Sequence, residues 1–144
     1  MDGLLRHLVA TIEYRLRIVI VGAPEHFGDL DVGYGVRKPR EILSHIAGLL
    51  RGVDSVLNEK ERTKIEPGTW DQEVERFYSA ARALDSSLTG KLPEKRVLEK
   101  LLQGPLCDAL THVGQLSMMR RMAGKPVEGV NFFKADITKG KFLR

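Results

Sequence analysis

The chain has 144 residues, 42% of them hydrophobic, a length and apolar content that supply one core and set a single domain over residues 1–144. Its lone cysteine, Cys107, excludes an internal disulfide framework and fits a reducing compartment, with the cytoplasm the expected location. The formal net charge is +4, but 23 basic residues are interleaved with 19 acidic ones and no nucleic-acid motif sets aromatics among the basic residues, so no nucleic-acid partner is expected.

From the N-terminus, Leu4, Leu5, Leu8, Val9, Ile12, Leu16, Val19 and Ile20 recur at three- and four-residue steps. This predicts an amphipathic helix ending near Gly22. Arg6, Glu13, Arg15 and Arg17 interrupt the stretch, which excludes a membrane span or export signal there. Glycines 22, 28, 33 and 35, with Pro24 among them, then break the pattern as far as Lys38. A connection this long is often functional, and its His26 and Tyr34 are candidate substrate contacts, although solvated loop residues are the commoner case.

Pro39 suits a first helical position, and Ile42, Ile46, Leu49, Leu50, Val53 and Leu57 carry an apolar stripe to about Asn58. His45 falls between Ile42 and Leu49 on that stripe. An imidazole there needs a partner, and the plainest one is a backbone carbonyl or Glu41, one turn earlier. The charged run from Asn58 to Lys64 with Pro67-Gly68 reads as a solvated turn, and Thr69 with Gln72 as a capping box. A third helix follows, burying Val74, Phe77, Ala81, Leu84 and Leu88, with Trp70 as a packing anchor at its start.

Pro93 to Gln103 predicts a short helix stopped by Gly104-Pro105, with Pro105 opening a long final helix to Gly124 and an irregular tail beyond. Leu106, Ala109, Leu110, Val113 and Leu116 make one apolar face of the final helix; Cys107, Met118 and Met122 put apolar atoms on another. Such a helix is either central or pressed against a second subunit, the tail residues Val130, Phe132 and Phe133 being the other available cover. His7, Arg120 and Arg121 are assigned to surface or interface. No segment alternates apolar and polar residues, so the fold class is all-α, a four-helix bundle.

The final helix carries Asp108 and His112 four residues apart. At ~100° per residue the two side chains lie ~40° apart around the axis and one turn apart along it, so both reach one cation. Cys107 is turned ~140° from His112, out of any site the pair shares, and is read as a small apolar filler. Alone, the pair equally suits a helical hydrogen bond or a weak ion pair; a third ligand from another helix would make an open metal site.

The segments Gly35-Val-Arg-Lys-Pro-Arg-Glu-Ile-Leu-Ser-His-Ile-Ala-Gly48 and Leu102 to Val127, most specifically His112-Val-Gly-Gln115, resemble those of DinB-like proteins. The resemblance implies an up-down-down-up four-helix bundle, usually a homodimer, that holds a divalent cation such as nickel or zinc through three histidines. His45 matches the histidine of the second helix and His112 the last one; Asp108 stands where the remaining histidine belongs. The implied metal ligands are therefore His45, Asp108 and His112. The carboxylate hardens the site and suits zinc, manganese or ferrous iron as well. Gln115 and Glu41 are the candidates for holding the ligands from behind, orienting His112 and His45 respectively.

Some characterised DinB-like proteins are transferases and isomerases that use low-molecular-weight thiols. The resemblance thus implies a metal that activates a thiol against a small-molecule substrate. The same ligands also suit a metal-dependent hydrolase, in which bound water is the nucleophile, or a ferrous facial triad. A non-catalytic dimeric helical binding module, with the three residues in a buried polar network, is the competing class.

Overall fold

The computed structural model describes residues 2–142 and contains only helices and irregular segments among them. The long helices are α1 (Asp2–Ile20), α2 (Pro39–Leu57), α3 (Trp70–Ser87) and α5 (Cys107–Met122), with a short α4 (Lys95–Leu101) before the last. Two of them, α2 and α3, start for a legible reason. At α2, Pro39 holds the first position, where a helix has no use for its missing N–H, and Glu41 Oε2 accepts from the Lys38 backbone N–H at 2.8 Å. At α3, Thr69 Oγ1 accepts from Gln72 N at 3.2 Å and Gln72 Oε1 accepts from Thr69 N at 3.0 Å, closing the reciprocal capping box.

The expected stop at Gly104-Pro105 does not occur. The chain passes from α4 into α5 through a π-helical turn, Leu102–Leu106, with Pro105 inside it. An α-helical Pro105 would waste the Leu101 carbonyl and press its ring on it; the wider turn relieves that clash without ending the helix. This turn ends two residues before Asp108.

The four long helices form a ring in which α1 packs against α3 and α5, and α2 packs against the same two. Side-chain pairs fix their directions. Arg6 forks onto Asp85 with both bonds at 2.9 Å, tying the start of α1 to the end of α3. Beyond α1, a 3-10 turn (Phe27–Asp29) sets Phe27 edge-on to Trp70 at 5.2 Å, at the start of α3. These helices run antiparallel. Arg40 donates to the Gly68 carbonyl, while Asn58 Nδ2 donates to Ser87 Oγ at 3.0 Å, so α2 and α3 run parallel and the 58–69 segment returns along the outside of α2. Gly28 is required where the loop meets α3, because a Cβ there would lie 2.5 Å from that of Trp70.

Arg120, expected at the surface or an interface, is buried within the chain itself. Its guanidinium donates to the carbonyls of Val19 at 2.6 Å, Val21 at 3.2 Å and Lys125 at 2.9 Å. Those of Val19 and Val21 are among the carbonyls that the end of α1 leaves without helical partners, and a cation is the favourable group at that pole. Burial lowers the pKa of the guanidinium. The interior closes with Leu16, Ile46, Leu50, Phe77, Tyr78, Leu84, Leu106 and Leu116, all fully buried.

The tail does not cover the second apolar face of α5. Phe132 packs instead against Tyr14 and under the Arg15 guanidinium, 4.0 Å from the ring centre, and Phe133 stands in solvent. Met118 and Met122 keep 61% and 54% of their surface. No helix among the described residues is long and apolar enough to cross a membrane.

Candidate metal centre

His45 leaves α2 in its second turn, and Asp108 and His112 leave α5 in its first two. Because α2 and α5 are neighbours in the ring, the three side chains meet between them, with ligand atoms all within 4.8 Å of one another. Asp108 lies across the two rings. Its Oδ1 is 3.3 Å from His112 Nε2, and its Oδ2 is 3.5 Å from His45 Nε2. The rings are perpendicular, with centroids 4.6 Å apart. Solvent reaches the cluster from one side: the side chains of His112, His45 and Asp108 are 11%, 32% and 46% exposed. His45 is thus at the rim of the core rather than within its apolar stripe.

Gln115 Oε1 lies 2.8 Å from His112 Nδ1. An amide oxygen accepts, so Nδ1 carries a proton, and Nε2, the nitrogen facing the Asp108 carboxylate, presents a lone pair when the ring is neutral. Two electron-rich atoms 3.3 Å apart call for a proton or a cation between them. Thr111 Oγ1 donates to the Asp108 backbone carbonyl at 2.7 Å and reaches Oδ1 at 3.3 Å, steadying the carboxylate. Glu41 stands one turn from His45 and lines the same cavity, with one oxygen engaged at the α2 cap. Cys107 is exposed and lies outside the ligand cluster.

Electrostatics favour a neutral His45 and an ionised Asp108. The pKa of His45 is lowered, first by burial and then by the charges of Arg37 and His112, against opposition from Asp108. For Asp108 burial is the largest single influence and acts upward, yet the His112 charge and the bonds from His45 and Thr111 together hold its carboxyl below the usual range. A neutral imidazole and an ionised carboxylate are the states that bind metal.

The distances fit a metal shell. Ligands at zinc bond lengths of about 2.0–2.2 Å stand about 3.4 Å apart in a tetrahedron and at most about 4.2 Å apart in any geometry. The 3.3 and 3.5 Å separations run to different oxygens of Asp108, Oδ1 toward His112 and Oδ2 toward His45, so each imidazole has a carboxylate oxygen at about shell distance. With one ligand atom from each residue the spread is up to 4.8 Å, which reaches a tetrahedral separation with about 1.4 Å of closure shared between two partly exposed side chains.

Two cavities flank the cluster. One of about 790 Å³ includes Asp108, Cys107 and Thr111 in its wall, and another of about 500 Å³ includes His45 and Glu41; Arg62 borders both. A third, of about 420 Å³, joins Gln115 to Tyr34 of the long loop and to Met118 and Met122. His26 is elsewhere, 3.4 Å from Glu25. The residues that sequence reading missed are Arg37, Arg51 and Arg62, which crowd the His45 side; they come from three separate segments, so no spacing announces them. The chain matches no family model, no curated protein and no solved structure.

Proposed function

We propose that the chain binds one divalent ion through His45, Asp108 and His112 and is a metal-dependent enzyme of the DinB-like kind, transferring or isomerising a small-molecule substrate with a low-molecular-weight thiol. The observation that carries this reading is the carboxylate set between two imidazole Nε2 atoms, at 3.3 and 3.5 Å, with the far nitrogen of one ring held by Gln115. Histidine ligands characteristically have their second nitrogen fixed in this way. The parallel α2 and α3 with an antiparallel α1 agree with the up-down-down-up order the resemblance implies.

Zinc is the ion we favour, because two imidazoles and one carboxylate are a ligand set it takes in open sites. When bound, the ion supplies Lewis acidity that lowers the pKa of a thiol or water. The chain's own residues do the rest. Gln115 fixes the His112 tautomer and Thr111 steadies Asp108. Cavities on both the Asp108 and the His45 side give room for two reactants, which favours thiol-dependent transfer over hydrolysis, where one reactant is water.

The test is loss of free thiol with a panel of halide and unsaturated electrophiles, comparing zinc-loaded with chelator-treated protein. A metal-dependent rate with at least one thiol is expected. Metal-dependent cleavage of esters or amides without thiol consumption would establish the hydrolase instead, and a loaded protein inert in both assays would leave the binding module.

A further inference from the structure

The cavity beside His45 has an unbalanced charge. Arg37, Arg51, Arg62 and Lys64 border it with one carboxylate, Glu41, and Glu41 is engaged at the α2 cap. Among the described residues neither Arg37 nor Arg62 makes a hydrogen bond or ion pair with a carboxylate. Arg51 buries its Nε without a hydrogen-bond partner, a costly state for a donor. The carboxylate whose charge acts on it, Glu73, binds Arg76 through Oε1 at 2.8 Å, and its buried Oε2 makes no hydrogen bond among the described residues, to Arg51 or to any other group.

The backbone is shaped to bring these guanidinium groups together. His45, Gly48 and Gly52 follow one another at three- and four-residue steps on one side of α2. Where a side chain at 48 would begin, Arg62 Nη2 lies 3.5 Å away and Arg51 Nη2 3.7 Å away; at 52 the Arg62 guanidinium carbon is at 3.6 Å. The returning 58–69 segment thus lays Arg62 flat over two glycines and beside Arg51. Two cations gathered around one point repel unless an anion joins them; burial first, then the Arg76 and Arg62 charges, lowers the pKa of Arg51 against the opposing charge of Glu73.

We propose that Arg37, Arg51 and Arg62 form a seat for a small oxyanion, a carboxylate or phosphate, so that the substrate or thiol used at the neighbouring centre carries an acidic group. Planar guanidinium forks match the paired oxygens of either anion. The cavity, about 500 Å³, has the size of a small-molecule site. The link to a substrate rests on the metal-enzyme reading above; oxyanion binding itself does not.

The test is calorimetric titration of the full chain with inorganic phosphate and, separately, succinate, at low ionic strength with chelator present. Saturable binding of at least one is expected, weakened about tenfold or more by Arg62→Gln or Arg51→Gln, the scale of one lost charge-assisted contact. Arg62 is on an exposed segment, so its variant remains informative if the Arg51 variant fails to fold. Asp108→Asn should lose metal yet keep the anion, and Arg62→Gln should keep metal yet lose the anion. That crossed pattern separates failure of the seat from failure of the metal centre. Preference for phosphate or for succinate assigns the group. No saturable binding of either, or Arg62→Gln binding as tightly as the unaltered chain, would overturn the proposal.

Discussion

Gln115 Oε1 meets His112 Nδ1 at 2.8 Å, one turn along the same helix, and so decides which nitrogen of His112 faces Asp108. Replacing Gln115 with leucine removes the acceptor and frees the ring to present the other tautomer. Zinc affinity, measured by competition with a chromophoric chelator, is expected to fall about 10–100-fold with helicity intact, the usual cost of losing a ligand's orienting partner. Unchanged affinity would mean that Gln115 has no part in the site.

The pH response follows from the direction of two shifts. His45 has a lowered pKa in the folded chain, so its neutral form is favoured by folding; that contribution is fully present above the ordinary histidine value of about 6.5 and is lost as pH falls through the lower folded value. Asp108, also lowered, stays ionised throughout that window and loses its contribution only below the ordinary carboxylate range. The metal-free protein should therefore weaken toward denaturant as pH drops below about 6.5. Stability that instead rises as pH falls through this window would contradict the assignment.

Arg120 supports the end of α1 from 99 to 102 residues away. Arg120→Met leaves those carbonyls without their donor, and urea unfolding should show a loss of about 2–4 kcal/mol. Arg121→Met, on the exposed side of the same turn, should stay within about 0.5 kcal/mol. Equal effects from the two would show that burial of Arg120 is not what matters.

These cases mark what the sequence could and could not convey. The Thr69–Gln72 cap and the apolar stripes were legible because every contact they need lies within one or two turns. Asp108 and His112 were legible as a pair for the same reason, whereas His45 joins them only through the packing of α2 on α5. Adjacent basic residues such as Arg120 and Arg121 carry no local mark of which one turns inward. Gly104-Pro105 carries a false one, since a Gly-Pro step signals a stop unless the helix widens, as it does here. The arginines around His45 were invisible as a group because the return of the 58–69 segment along α2 is a tertiary feature.

The exposed Met118 and Met122 bear on assembly, for which the DinB-like resemblance implies a homodimer. Placing the interface on this strip of α5 predicts a dimer by light scattering at micromolar concentration, converted to monomer by Met118→Glu with no loss of helical signal. A monomer in the unaltered protein would refute it.

The central claim is that His45, Asp108 and His112 share one ion, and elemental analysis of protein purified without a metal-affinity tag tests it most directly. Near-stoichiometric divalent metal is expected in the unaltered chain and in Cys107→Ala, whose side chain stands outside the cluster, with loss in His45→Ala, Asp108→Asn and His112→Ala. Metal content that is unchanged in all three ligand variants, or absent from the unaltered chain even after incubation with zinc, would contradict it.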